Sequence, residues 1–560
     1  MFGGYTTYWK TLSPGALNFW IHTFSLIAIF FEGYDQGVMG GVNSSSDYVS
    51  TVGIGGSDGV VTNVTKQGGI VSIYYLGAIV GCFAGGWIAD RIGRINGTLL
   101  GAVFALVGGA LQAATQSSNF ILVARVVTGL GTGALTAIIP VYVSETSTAH
   151  GRGRFLGLVF IANYLGIAIA YWLDFGLSFV NGPNGIGSSS VRWRFLLAFQ
   201  CFPAILLVLG IKMLPDSPRY YISSGRPEMA LEVLEHVRGG RSEKTDAEFA
   251  QMVAASKDSK PASPIEFAKI LVGRSDSAAP HLARRAWLCL WLQIMASYTA
   301  ITAVTAYVSP LSEGVADNQA PILLSAAGYP LIKQNGLAGG LSTVGIVGTI
   351  ISAYVVDRFG RRRCLMWGAA GLVVVNALAG GLYEASRRNP DKAVQIAPAA
   401  VTMLFLFNLI YASTWGTVAF LIPTEIFPSE MRAQGNGFGV TGWAIGVGTT
   451  TLANPSIFAT LQNRAYFLFA GFNLLWVLVV YLFYPETKDR SLESINVLFI
   501  PTSPLNSAAE RSWREHNNGD ILVGRETEVE AERKRIKGDF GASDQSSENS
   551  KTQVGHFEKA

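Results

Sequence analysis

The sequence predicts an all-α membrane protein with twelve transmembrane helices in two six-helix halves and cytoplasmic helices between the halves. Composition, apolar windows and an internal repeat each point to it. Of 560 residues, 49% are hydrophobic and only 14% charged, against a usual charged fraction of about 25%. A soluble chain of this length would need more charge to cover itself. Glycine is abundant, 63 residues, as suits helices that approach closely in lipid.

Apolar windows long enough to cross a bilayer as helix fall near 19–42, 67–89, 97–116, 120–144, 154–177, 194–214, 286–309, 335–356, 364–384, 397–423, 433–460 and 465–484. They divide the chain into an N-terminus (1–18), a first half (19–214), a polar linker (215–285), a second half (286–484) and a tail (485–560). Apolar residues at helical spacing in "GRPEMALEVLEHVRGG" predict short amphipathic helices in the linker. The tail is rich in Glu, Lys, Ser and Asn from about 501, which predicts disorder for most of it.

Arginines after the second, fourth and eighth windows share one side with both termini, so the positive-inside rule puts both ends in the cytoplasm. Asn43-Ser44-Ser45 and Asn63-Val64-Thr65 are then glycosylation sequons on the outer side, while Asn96-Gly97-Thr98 faces inward.

The repeat is specific. "GGWIADRIGR" returns as "SAYVVDRFGRRR", with Asp90 and Asp357 267 residues apart; "VYVSETSTAHGRG" returns as "LIPTEIFPSEMRAQG", with Glu145 and Glu425 280 apart. "LPDSPR" matches "YPETKDR", Pro215 to Pro485 being 270. Positive-inside topology alone places isolated arginines, but not three motifs in order at nearly one offset. Six spans plus six is the parallel-repeat arrangement of major facilitator transporters.

Together with GYDQG and Arg125 in "ARVVTGLGTG", these motifs resemble the sugar porter family of that superfamily over residues 19 to about 498. "GYDQGVMGG" and "YWLDFGLSF" look most like fungal sugar and polyol proton symporters. The sequence departs from the family at Thr148, where a proline is usual, and at Asp216, where a glutamate is usual.

Within the first window, Glu32 and Asp35 lie three residues apart on one helical face. Helical rise places Asp35 roughly 10 Å and Arg125 roughly 8 Å below the outer surface, so the two are level. Each charge is costly in lipid, and a partner at equal depth compensates it. A carboxylate paired with arginine in one conformation and alone in another holds its proton with different affinity in each. The resemblance gives Asp35 the proton role and Arg125 that of switchable partner. Glu32 stands where the family has an apolar residue, commonly Phe; it reads as a second proton carrier, a contact for a polar solute or a protonated bystander on the bundle face, and we favour the pathway.

Asp90, Arg91, Arg94, Glu145, Arg152, Asp216 and Arg219 cluster at the inner helix ends of the first half. Asp357, Arg358, Arg361, Glu425, Arg432 and Glu486 do so in the second. The resemblance implies a cytoplasmic gate that latches the halves. Exposed pairs are worth only about 0–1 kcal/mol each, which suits a latch that breaks every cycle.

The family's sugar-binding amides are mostly missing. Gap-free counting puts Phe160 at the span-five glutamine, Gly345 at the span-eight asparagine and Ala296-Ser297-Tyr298-Thr299-Ala300-Ile301-Thr302 at Gln-Gln-Leu-Ser-Gly-Ile-Asn. Thr417-Val418-Ala419-Phe420 stands for Pro-x-Pro-Trp, and Gly442-Trp443-Ala444-Ile445-Gly446 for Asn-Trp-x-x-Asn. An unpaired buried hydroxyl costs about 1–3 kcal/mol, which argues against tight hexose binding. The expected pocket is Gln293, Tyr298, Thr299, Thr302, Phe160, Phe420 and Trp443, suited to a polyol, a modified sugar or a small oxygenated metabolite.

The expected function is proton-coupled symport of a sugar-like solute across the plasma membrane, by a monomer working with solute, protons and the bilayer. The alternative is export or antiport of a small fungal metabolite. No nucleophile–base set, metal site, cofactor motif or phosphate loop is visible, "GLGTG" at 129–133 being a packing stretch with no preceding strand. Four singly spaced cysteines read as core thiols, and the charge of +4 gives no reason to expect nucleic acid.

Overall fold

The computed structural model describes residues 5–56, 61–147, 152–182, 185–186, 189–257, 264–274, 281–306, 331–427, 431–488, 490, 494–501 and 503–517. In the first half, the long helices are α1 (Pro14–Val42), α2 (Val64–Ile92), α3 (Arg94–Ala113), α4 (Ser118–Thr146), α5 (Arg152–Leu177) and the two-piece α6 (Ser190–Phe199, Cys201–Gly210). In the second they are α7 (Leu282–Ser297, Ile301–Ala306), α8 (Leu331–Phe359), α9 (Arg361–Arg388), α10 (Ala393–Ser413, Trp415–Ile426), α11 (Arg432–Leu461) and α12 (Arg464–Phe483). Eleven described helices are long and apolar enough to cross a membrane. The expected eleventh window, α11, is a 30-residue helix that falls short because glycine, threonine and asparagine dilute its apolar residues.

Local chemistry starts and stops these helices. Ser13 caps α1 by accepting from the Ala16 amide, with Pro14 at the first helical position. Gly93 (φ 96°) and Gly360 (φ 90°) make the turns from α2 to α3 and from α8 to α9. Their φ values lie where side chains are strained. A Cβ on Gly93 would also lie 2.1 Å from Asp216, and one on Gly360 2.4 Å from Glu486. The two positions are 267 apart, so the sequence repeat reappears in the backbone.

Glycine also sets how closely helices approach. A Cβ on Gly129 would stand 2.1 Å from the Tyr74 carbonyl oxygen, and one on Gly77 2.2 Å from that of Val126. The stretch 129–133 therefore packs α4 against α2. Gly33 meets the Asn163 oxygen of α5 at 1.9 Å, and Gly442 of α11 meets the Leu290 oxygen of α7 at 2.2 Å by the same measure. In hydrocarbon, such backbone approach provides the dispersion contact that apolar burial does not.

The linker forms short helices at Pro218–Ser223, Pro227–Arg238, Glu243–Lys257 and Pro264–Leu271. Pro227–Arg238 is tied to the N-terminal segment by Lys10–Glu232 (2.6 Å) and by Asn18, which donates to the Val237 oxygen. Arg238 donates to the Thr146 oxygen at the end of α4 (2.8 Å).

Order extends further into the tail than composition predicts. Asn506–Asn517 is helical and buries Ala509. Arg284 donates to the Ser503 and Pro504 oxygens, Arg490 pairs with Glu510 (2.8 Å), and Leu498 and Phe499 are fully buried. Polar composition misleads here because the tail's charges pair with one another and its backbone accepts from Arg284 of the body. The remaining disorder expectation falls on 518–560, outside the described residues.

Replacing Gly129 with Val should force α2 and α4 apart and abolish folded protein, whereas Gly69→Ala, with open space around it, should leave yield unchanged. Monodisperse protein recovered from detergent on size exclusion measures both.

Candidate functional site

Asp35 and Arg125 meet inside the first half. Arg125 Nη1 lies 3.4 Å from Asp35 Oδ1, with both side chains essentially sealed from solvent. Arg125 also donates to the Val71 oxygen of α2 (3.3 Å) and lies 4.5 Å from the centre of the Tyr74 ring. The pair is therefore long and shared, and Asp35 Oδ2 has no hydrogen-bond partner. Tyr74 and Gln112 flank the carboxylate. Glu32, one turn toward the inner end, accepts from Gln36 (3.2 Å) and faces Thr136 of α4. Its Oε2 is buried and unpartnered.

Asp174 in "YWLDFGLSF" forms a second buried pair with Arg192 (2.8 Å), and Arg192 also donates to Ser44 just past α1 (2.6 Å). This pair anchors the end of the helix that carries Asp35. Its sequence signal is a lone carboxylate in an apolar window, which requires a cation.

The inner charges form the same cage twice. Arg94 bridges Asp90 (3.1 Å) and Glu145 (3.0 Å), while Asp216 accepts from the Arg94 and Ile95 amides at the start of α3. Arg361 bridges Asp357 (3.2 Å) and Glu425 (2.8 Å), while Glu486 accepts from the Arg361 and Arg362 amides. Burial pushes the Asp216 carboxyl up to about 6, against the pull of Arg94 and the amides around it.

Two expectations need correction. These pairs join helices within one half, because motif and partner sit on neighbouring helices of the same repeat. Arg94 and Glu145 are also buried, so the small value expected for exposed pairs does not apply; removing one partner of a buried pair costs about 3–5 kcal/mol. Contact across the halves is instead made by Asn436, which donates to the Ala137 oxygen (2.8 Å), and by Gln434 facing Asp90. Arg91 stacks on Trp87 and Arg358 on Phe359. Arg219 lies half-buried in Pro218–Ser223. Arg152 and Arg432 open α5 and α11, their side chains outside the described residues.

The family described as Sugar (and other) transporter matches residues 21–499. The chain belongs to the sugar porter family of the major facilitator superfamily. It is a transporter and not an enzyme. This sugar porter is 31% identical over 476 residues to the MFS-type transporter criB of Aspergillus cristatus, covering 84% of this chain and 91% of the relative. It is 29% identical over 505 residues to the sugar transporter STL1 of Saccharomyces cerevisiae, covering 88% and 83%. The fold matches the proton:xylose symporter XylE bound to 6-bromo-6-deoxy-D-glucose with a TM-score of 0.71 at 19% identity, covering 87% of this chain and 99% of that one.

In this sugar porter, the expected pocket residues separate into two groups. Phe160 and Phe420 meet across the halves with ring centroids 4.9 Å apart; Trp443 lies 6.5 Å from Phe420, and Gln293 donates to the Ala419 oxygen beside it. Tyr75, which carries no motif of its own, joins them 5.7 Å from Trp443. The others point into the second half. Tyr298 bonds Thr449 and packs on Phe472, Thr302 bonds Thr450, and Thr299 bonds the Ala296 oxygen. Tyr164 fills the space beside Gly345, 2.2 Å from where a Cβ would stand, so neither Gly345 nor Gly442 has room for the family's asparagine.

Ala300 holds φ 90° in the break of α7, at the position where the family has glycine. Asn473 supports the break by donating to the Thr299 oxygen (3.1 Å).

Arg94→Ala should shorten the lifetime of folded protein in detergent far more than Arg91→Ala, since it leaves Asp90 and Glu145 without their cation. Equal thermal inactivation of the two variants would contradict the cage.

Proposed function

We propose that this protein moves a sugar-like small solute across the plasma membrane by alternating access coupled to protons. The buried, loosely held Asp35–Arg125 pair is the observation that carries this. A rocking motion that opens the 3.4 Å contact changes the affinity of Asp35 for a proton, so conformational change and proton movement become linked. The names of two similar proteins, sugar transporter STL1 and proton:xylose symporter XylE, support the same reading. The inner cages hold each half as a unit while the halves rock. We further propose that residues 19–214 and 286–484 are the moving halves, with 1–18, the linker 215–285 and the tail 485–560 cytoplasmic, and that the monomer is the working unit.

Export or antiport of a small metabolite is the second reading. It is supported by the pocket, where aromatic rings and filled space stand in place of the family's amides.

Asp35→Asn should abolish pH-driven accumulation in proteoliposomes while leaving counterflow exchange, because Asn cannot titrate. Arg125→Ala should impair transport more than Arg125→Lys. Full accumulation by Asp35→Asn would end the coupling proposal.

Of the outer sequons, Asn43 has a buried side-chain oxygen, Ser44 is bonded by Arg192, and Ser45 is fully buried. Asn63 is exposed at the start of α2. Glycan should therefore sit on Asn63, with none on Asn96. Loss of the endoglycosidase mobility shift in Asn63→Gln alone is the expected result, and a glycan on Asn96 would invert the proposed orientation.

A further inference from the structure

Phe160, Phe420, Trp443 and Tyr75 form a wall that runs from the first half to the second and back, with successive ring distances of 4.9, 6.5 and 5.7 Å. Phe160, Trp443 and Tyr75 keep 5–7% of their surface accessible, and Phe420 keeps more. The wall lies where the two halves meet.

Two acceptors flank this wall, one from each half. Glu32 lies within electrostatic reach of Tyr75, and Gly33 next to it packs on Asn163, one turn beyond Phe160. Its Oε1 accepts from Gln36, and its Oε2 is buried with no partner. Thr136 faces Glu32, with its hydroxyl donating to the Thr132 oxygen (2.8 Å). Arg125 is engaged by Asp35, the Val71 oxygen and the Tyr74 ring. On the other side, the Gln293 amide nitrogen donates to the Ala419 oxygen, which fixes the amide's orientation and leaves Oε1 buried and unpartnered.

An unpaired buried acceptor costs about 1–3 kcal/mol, and a buried carboxylate costs more unless a cation or proton neutralises it. A solute that donates to both oxygens removes these costs. The ring wall favours a flat apolar face, and aromatic faces attract cations. A carboxylate at the polar edge repels anions.

We propose that Glu32 and Gln293 form the polar edge, and Phe160, Phe420, Trp443 and Tyr75 the wall, of a solute site that selects an apolar ring bearing a hydrogen-bond donor, with an ammonium group bound best and a carboxylate rejected. The site rests on the transporter reading above and narrows its solute class. It differs from a hexose site, whose ligand needs donors and acceptors on every side.

Three compounds with one phenol ring test it: tyramine, tyrosol and 4-hydroxyphenylacetate, which end in ammonium, hydroxyl and carboxylate. Binding is measured calorimetrically on the purified full-length protein. Tyramine should bind tightest and the acid at least about tenfold more weakly, the equivalent of one good hydrogen bond or ion contact. Glu32→Gln should bring the three affinities together, Gln293→Leu should weaken the two compounds whose chain ends in a donor, and Phe420→Leu should weaken all three alike. Gln293→Leu keeps the test open should Glu32→Gln fold poorly. The site is overturned if the acid binds as well as tyramine, if neither polar-edge substitution changes tyramine binding, or if none of the three binds. Binding needs no proton gradient. A failed Asp35→Asn accumulation test with this ranking intact therefore removes only the coupling, and a failed ranking with coupling intact removes only this site.

Discussion

The Asp35–Arg125 contact depends on where three helices sit to within a fraction of an ångström. Asp35 comes from α1, Arg125 from α4, and the Val71 oxygen and Tyr74 ring that share the guanidinium come from α2. In low dielectric, small changes in separation alter a charge interaction strongly. The glycine contacts of α4 with α2, and of α1 with α5, leave no slack in which the helices could drift. Arg192 holds the end of α1 through Ser44. The first half thus acts as a frame that keeps one long ion contact at a fixed length until the frame itself is moved.

At the inner face, the second half repeats the first in charge and backbone alike. Each cage joins a carboxylate one turn before an arginine, a glutamate from a neighbouring helix, and a capping carboxylate that enters over a glycine of positive φ. Burying so many charges destabilises the bundle unless every member is paired. Halves that each hold their own inner charges follow from this division. Among the described residues the cage ion pairs lie inside a half, while the inner seam between halves carries amide contacts such as Asn436 to the Ala137 oxygen.

The spans and the repeat were legible because hydrophobic windows and recurring motifs depend on local order along the chain. Asp35 and Arg125 could be matched by depth, since helical rise converts sequence position directly into distance. Sequence says less about which face of a helix meets which neighbour. Tyr298, Thr299 and Thr302 share their window with Gln293, yet their bonds go to Thr449, Ala296 and Thr450, away from the rings beside Gln293. Tyr75 has no motif and becomes visible only through its ring contact with Trp443. The docking of Asn506–Asn517 escaped composition because the contacts that hold its neighbourhood, Arg284 to the Ser503 and Pro504 oxygens, come from a residue about 220 positions away. α11 is hidden from hydropathy for the reason that lets it touch α7: the same glycine and threonine content permits backbone contact and dilutes the apolar signal.

Ala300 adds a thermodynamic consequence. A non-glycine residue held at φ 90° stores strain of about 1–3 kcal/mol. That strain belongs to the conformation with α7 broken, and a state that straightened the break would be free of it. At roughly 1.4 kcal/mol per tenfold change in an equilibrium constant, one methyl group would weight the populations of two such states by about five- to a hundredfold. A carrier with glycine at this position has no such bias, so its resting state is set by other contacts. Such a bias would come from a side chain that need not touch solute or proton.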